Sequence, residues 1–144
     1  MPLDNPIMPE GSPVRLTVPM LQVLEATGTF GTTPEYVFDG DVLTTAKAHA
    51  IDEYAQVLFL SSIRIKQWRQ SGESNQDMDG SWKIQYLDDN DAWVDWVTGI
   101  PTAADGFGSW ANALAEVLAK GLRLVAVTMD ARDGKNYIKQ LEVS

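Results

Sequence analysis

From residue 21 onward, short apolar runs alternate with turn residues. The runs LQVLEA (21–26), EYVF (35–38), QVLFL (56–60), SIRIKQW (62–68), SWKIQYL (81–87), AWVDWV (92–97), LRLVAVTM (122–129) and NYIKQLEV (136–143) all have strand length. Several alternate with period two. Ile63 and Ile65 oppose Arg64 and Lys66, while Trp82, Ile84 and Tyr86 oppose Lys83 and Gln85. Such alternation marks strands with one face buried and one wet. Turn chemistry falls between the runs at Asp39-Gly40, Asp79-Gly80, Gly106/Gly108 and Asp133-Gly134. The pattern predicts an all-β chain, an antiparallel sandwich or barrel.

One segment departs from it. Trp110, Leu114, Val117 and Leu118 lie at i, i+4, i+7 and i+8, and WANALAEVLAK is rich in alanine. By periodicity and propensity alone, 111–118 reads as helix.

The opening of the chain differs again. Five of the seven prolines are Pro2, Pro6, Pro9, Pro13 and Pro19. Proline removes backbone donors and fixes φ, so this stretch joins neither a helix interior nor a central strand. Residues 1–19 are therefore expected to form an extended arm ahead of a sandwich domain over 20–144. The arm reads either as a loose terminus or as a tether on a neighbouring subunit, the latter giving Leu3, Ile7, Met8 and Leu16 a use.

Composition narrows the function. With 144 residues and 44% hydrophobic content, the chain can build one ordinary core. A net charge of −9 repels phosphate backbones, which argues against nucleic acid as a partner. No cysteine is present, so neither a disulfide framework nor a thiolate zinc site exists. The first residues lack the basic start and apolar run of a secretory signal, and no stretch is long enough to insert in a membrane. These features predict a soluble protein made in the cytoplasm.

Placed in order, the motifs resemble the discoidin, or coagulation-factor type C, family of galactose-binding-like jelly rolls, which includes many carbohydrate-binding modules. Four stretches carry the likeness. They are Ala26-Thr27 with Tyr36–Thr44, Val57–Leu60 through Ile63-Arg64-Ile65, Trp82–Trp93 across its acidic turn, and Leu122–Val125 with Ile138–Val143. The likeness spans about 21–143 and implies strand, not helix, over 111–118. It also implies a structural Ca²⁺ site in which Asp39, Asp41 and Thr44 are closed by Glu142 on the final strand. From the residues alone, Asp39-Gly40-Asp41 is either a simple turn or a loop of hard oxygen ligands. Asp88, Asp89 and Asp91 lack the spacing of a calcium-binding EF-hand loop, with Trp93 where glycine is obligatory, and read as a solvated hairpin turn.

All five tryptophans lie between residues 68 and 110. Tryptophan stacks on sugar rings and anchors interfaces, but it also fills cores. Trp82 and one of Trp93 and Trp96 read as core. Trp68, placed by alternation beside Arg64 and Lys66, is the best candidate for a ligand-binding surface together with Arg64, and Trp110 is the next. The lone histidine, His49, reads as a bland loop residue, and no nucleophile elbow, phosphate loop or histidine-rich metal motif occurs. The chain is thus expected to bind and not to catalyse. The arm and the missing signal favour a bacteriophage virion component (head decoration, spike or tail) displaying a carbohydrate-binding-like jelly roll. It would contact other virion subunits or its own copies through the arm, and a cell-surface glycan through its loops. The alternative is an ancillary carbohydrate-binding module of a larger glycan-active enzyme or adhesin.

Overall fold

The structure, a computed structural model, describes residues 23–144 other than Val42 and Asn75. The arm expected over 1–19 lies outside them. The described residues form strands β1 (Val23–Gly28), β2 (Ala46–Ala48), β3 (Tyr54–Ser71), β4 (Ser81–Leu87), β5 (Trp93–Pro101), β6 (Ala111–Thr128), β7 (Asn136–Ile138) and β8 (Gln140–Val143), with one 3-10 helix at Pro34–Phe38. The all-β expectation holds. No helix among the described residues is long and apolar enough to cross a membrane.

Two strands of 18 residues dominate. At about 3.4 Å per residue each would extend ~60 Å, while a globular chain of this length is only about 40 Å across. They must therefore bend, and they bend together. β3 and β6 pair from Tyr54↔Val125 to Leu58↔Gly121, then resume at Ile63↔Ala119, leaving 59–62 opposite Lys120 alone. Close approach at this corner requires Gly121, where a Cβ would sit 2.7 Å from the Val57 carbonyl oxygen. Before the corner the two strands belong to a sheet ordered β1-β3-β6-β4-β5, and beyond it β8 pairs with β3. β2 and β7 form a separate two-stranded sheet. All pairings are antiparallel.

Between these layers lies one core. Trp82 and Ile84 of β4, Leu122 and Leu124 of β6, and Leu141 and Val143 of β8 join a single buried cluster. Trp82 stacks on Phe30 with ring centroids 5.6 Å apart. Trp96 is the second core tryptophan, whereas Trp93 lies half-buried on the outer face. The turn at 88–91 closes as an ordinary hairpin, with Asp88 Oδ1 accepting from the Asn90 and Ala92 amides.

Two expectations need correction. EYVF is not a strand. Pro34 fits the first turn of the 3-10 helix, Tyr36 N–H donates to Thr33 O at 3.1 Å, and the adjacent Val37 and Phe38 are both buried. A strand sends neighbours to opposite faces and could not bury both against one layer. The second concerns Trp68. Lys66 and Gln67 both donate to the Ser144 carbonyl, at 2.6 and 3.0 Å, which makes a bulge in β3. The bulge shifts the alternation, so Trp68 packs against the core instead of sharing the exposed face of Arg64 and Lys66.

The segment 111–118 is strand, as the family likeness implies and against its helical periodicity. Opposite Lys66, β6 carries residues 113–116 between the pairs Ile65↔Val117 and Gln67↔Asn112. That wide bulge erases period two. It leaves Leu114 at 104% of full exposure while Val117 packs on the core.

A buried carboxylate organises the polar end of the sandwich. Asp130 is fully buried and accepts N–H bonds from Asp77 (2.9 Å), Met78 (2.8 Å) and Arg132 (3.1 Å). Burial pushes its carboxyl up, but the amides of Asp77, Arg132, Asp79 and Met78 together outweigh burial and hold it below its ordinary value of 3.8. A carboxyl depressed on folding stabilises the native state above its unfolded pKa, and that contribution is lost as pH falls through the folded value. Asp130→Asn turns one acceptor into a donor facing N–H groups, and should cost on the order of 2–3 kcal/mol at neutral pH. In urea melts, the gap between wild type and Asp130→Asn should narrow as pH falls below 3.8.

Candidate functional site

One concavity among the described residues lies where the β3–β6 ladder lapses a third time, beyond Trp68. Trp68 pairs with Ala111, and Ser71 bridges to Phe107. Between these contacts two residues of β3, Arg69 and Gln70, face three of the segment entering β6, Gly108, Ser109 and Trp110. An unequal count of this kind re-aims side chains and opens the strand edge. The result is a cleft of about 390 Å³ lined by Trp68, Arg69, Gln70 and the 103–109 loop, within the size range of small-ligand sites.

The loop is fastened to the end of β3 by backbone. Gly72 N–H donates to Ala104 O at 3.0 Å, Glu73 N–H to Ala103 O at 3.1 Å, and Gly106 N–H to Ser71 Oγ at 3.0 Å. Gln76 Nε2 reaches the Ala103 carbonyl at 2.7 Å from behind. Only glycine fits at 72, because a Cβ would lie 1.9 Å from the Ala103 oxygen.

Held this way, the loop places Phe107 and Trp110 on the guanidinium of Arg69, each ring centroid 4.4 Å from it. Arg69 Nε and Nη2 donate to Glu142 Oε1 at 2.9 and 2.7 Å. Glu142 is buried on β8 and fixes the arginine from below. At the rim, Lys139 Nζ donates to Asp105 at 3.0 Å and lies 4.0 Å from Glu73. Asp105, Gly106, Gly108 and Ser109 are exposed. Gln70 is 9% exposed; its Nε2 donates to Pro101 O at 2.8 Å, but its Oε1 has no partner among the described residues.

Two of the three residues proposed from the sequence to bind ligand meet here. Trp68 lines the cleft, as a core-packed wall and not as an exposed platform, and Trp110 stacks on Arg69. Arg64 does not join them; it is exposed and pairs with Glu116 at 3.2 Å. Arg69 and Phe107 escape a reading of the sequence. The Gly-Phe-Gly turn at 106–108 was a usable signal for Phe107, but the bulge that exchanges the roles of Trp68 and Arg69 left none.

The proposed calcium ligands are only partly gathered. Asp39, Asp41 and Thr44 meet in one loop, with Thr44 Oγ1 donating to Asp39 Oδ2 at 2.9 Å and to Asp41 O at 2.8 Å. Glu142 is committed to Arg69. Its place at the loop is taken by Gln140, two residues earlier on the same face of β8, whose Nε2 donates to Tyr36 O at 2.7 Å and Asp39 Oδ1 at 2.5 Å. Among the described residues no three His, Cys, Asp or Glu side chains gather as metal ligands. His49 bonds to Thr32 Oγ1 at 2.8 Å and packs over Gly31, clasping two loops.

A second arginine sandwich lies on the outer face of the five-stranded sheet. Arg123 sits 4.0 Å from the Tyr54 ring and 4.2 Å from the Trp93 ring, and donates to Gln56 at 2.7 Å. It occupies the middle of a sheet row, Gln56↔Arg123↔Gln85.

No family model matches the chain, and no curated protein does. Solved structures do. The CBM32 of AlyQ in complex with 4,5-unsaturated mannuronic acid superposes with a TM-score of 0.69 at 14% identity, covering 85% of this chain and 95% of that one. The family 32 CBM from C. perfringens NanJ, in complex with galactose, gives 0.65 at 14%, covering 83% and 90%. A pectin-binding carbohydrate-binding module gives 0.63 at 18%, covering 86% and 91%. The chain also matches truncated AlyQ with CBM32 and alginate lyase domains, but spans only 32% of it. The chain therefore has the galactose-binding-like jelly-roll fold of the family 32 carbohydrate-binding modules.

Because the cleft depends on the close approach at residue 72, Gly72→Ala should destabilise the domain by about 1–3 kcal/mol. Denaturant melts would measure this. A neutral effect would mean that the 103–110 loop is not fastened where the contact shows it.

Proposed function

We propose that this domain is a non-catalytic carbohydrate-binding module that holds a sugar residue in the cleft between the Arg69–Gln70 edge and the 103–110 loop. The observation that carries the reading is the Arg69 guanidinium held between Phe107 and Trp110 at the edge of this cleft. Sugar recognition needs an apolar ring face for the C–H side of the pyranose and fixed polar groups for its hydroxyls. Phe107 and Trp110 supply the first, while Arg69 and Asp105 supply the second. The carbohydrate-binding modules among the structural neighbours support the same reading.

Charge points to a neutral ligand. Around the cleft, two cations (Arg69, Lys139) stand against three carboxylates (Glu142, Asp105, Glu73) and are already paired with them. The chain carries −9 overall. A uronate would meet no uncommitted cation here and would be repelled at long range. The sandwich around Arg123 is the weaker candidate, because it lies within a sheet face. The virion setting rests on residues 1–19 and draws nothing from these neighbours. A module accompanying a larger glycan-active protein fits them better.

Isothermal titration against neutral and uronic oligosaccharides would test the site. Binding of a neutral sugar should change little with salt. Trp110→Ala should weaken it by ~1–1.5 kcal/mol, about tenfold in Kd, at nearly unchanged melting temperature. Trp93→Ala, on the far face, should leave affinity intact. Loss of binding with Trp93→Ala but not with Trp110→Ala would move the site to Arg123.

A further inference from the structure

We infer that the Gln140 side-chain amide does in the 36–44 loop what a bound cation would otherwise do, so that the loop is held without calcium and a single change, Gln140→Glu, would make it calcium-dependent. Gln140 is 1% exposed. Its Nε2 faces three oxygens, Tyr36 O at 2.7 Å, Asp39 Oδ1 at 2.5 Å and Asp41 O at 3.4 Å. Its Oε1 accepts the Gly40 N–H at 3.0 Å. The amide can only point this way, since reversing it would set an oxygen against three oxygens and an NH₂ against an N–H.

Three carboxylate oxygens of the loop are engaged within it as well. Asp39 Oδ1 also accepts the Asp41 amide at 2.9 Å, and Asp39 Oδ2 accepts the Thr44 hydroxyl at 2.9 Å. Asp41 Oδ1 accepts the Leu43 amide at 2.9 Å. Calcium needs six to eight oxygens converging on one point. Here the converging oxygens meet an N–H donor that already satisfies them, and the donor belongs to a buried side chain that cannot leave without unpairing the Gly40 amide. These residues do not fit the ion that the fold family implies.

The same geometry says what one atom would change. A glutamate at 140 would present a carboxylate to the Asp39 carboxylate and to two carbonyls, with no proton between them. An acceptor-only cluster of that kind is unfavourable when buried, and a divalent cation relieves it by coordinating all of its members.

The test is thermal melting of the full chain in calcium chloride and in EGTA, for the wild type, Gln140→Glu and Asp39→Ala. The wild type should melt at the same temperature in both. Gln140→Glu should melt several degrees lower than wild type in EGTA and recover in calcium, because a ligand that binds only the native state stabilises it. If Gln140→Glu is unfolded in EGTA, recovery of its circular dichroism on adding calcium gives the same answer. A wild-type melting temperature raised by calcium and made insensitive to it by Asp39→Ala would overturn the inference. So would a Gln140→Glu variant that behaves identically with calcium and with EGTA.

Discussion

The length of β3 and β6 is the constraint on which the rest of the molecule depends. Two paired strands of 18 residues cannot stay flat inside a domain of this size, so the pair must turn and serve both layers. Turning an antiparallel pair means breaking its register, and the ladder breaks at 59–62, at Lys66 and again beyond Trp68. Each break has a structural product. The first folds the sheet over the core; the second exchanges which side chains face inward; the third opens the strand edge where Arg69 and Gln70 line a cleft. Bulges are the local price of curvature, and here they also determine where a ligand can approach.

That constraint explains what could be read from the sequence. Where the β4–β6 ladder is regular, from Trp82 to Tyr86, alternation works. In β4, Trp82 and Ile84 are core and Lys83 and Gln85 are not, as their spacing says. The single core and the turns at 39–40 and 133–134 were legible as well. Parity arguments fail where β3 and β6 break register. Trp68 counts as outward only if period two continues through Lys66, and it does not. Residues 111–118 look helical because a bulged strand has no period of its own, and its alanines and leucines fall by chance at helical spacing. Leu114, which a helix would have buried, stands in solvent. Residues 35–38 show a different limit: a β-rich tetrapeptide after proline buried two neighbours at once, which 3-10 geometry allows and a strand does not.

Buried charge in this protein is matched locally and not by long-range balance. Asp130 is met by backbone amides from both sides of its loop, and Glu142 is met by Arg69. A fully buried carboxylate without such partners would protonate or unfold its surroundings. The surplus of acids responsible for the −9 charge therefore has to be carried mostly at the surface. This keeps the cleft's own ionic groups committed to one another, with geometry fixed before any ligand arrives. Rigid rings and a clamped guanidinium lose little freedom on binding, which favours recognition by shape and hydrogen bonding over attraction by charge.

The last strand shows how close the family pattern and this chain run before they part. Gln140 and Glu142 project from the same face of β8, two residues or about 7 Å apart, while Leu141 and Val143 enter the core between them. Each polar side chain anchors a different loop. Gln140 gathers the 36–41 turn, and Glu142 reaches Arg69 and through it the rings of the 107–110 turn. A sequence argument that looks for a carboxylate near the chain's end finds Glu142 and assigns it to the acidic loop, because one residue type in roughly the right place is all a sequence offers. The register Ser71↔Gln140 and Arg69↔Glu142 decides otherwise. With glutamate facing an arginine and glutamine facing an acidic loop, each of the two side chains meets a complementary partner. Exchanging the two residues would set carboxylate against carboxylate at one end and leave the guanidinium without its counter-ion at the other. Which of the two sits at which position is thus part of what divides the end of the sandwich into a structural loop and the cleft beside Arg69.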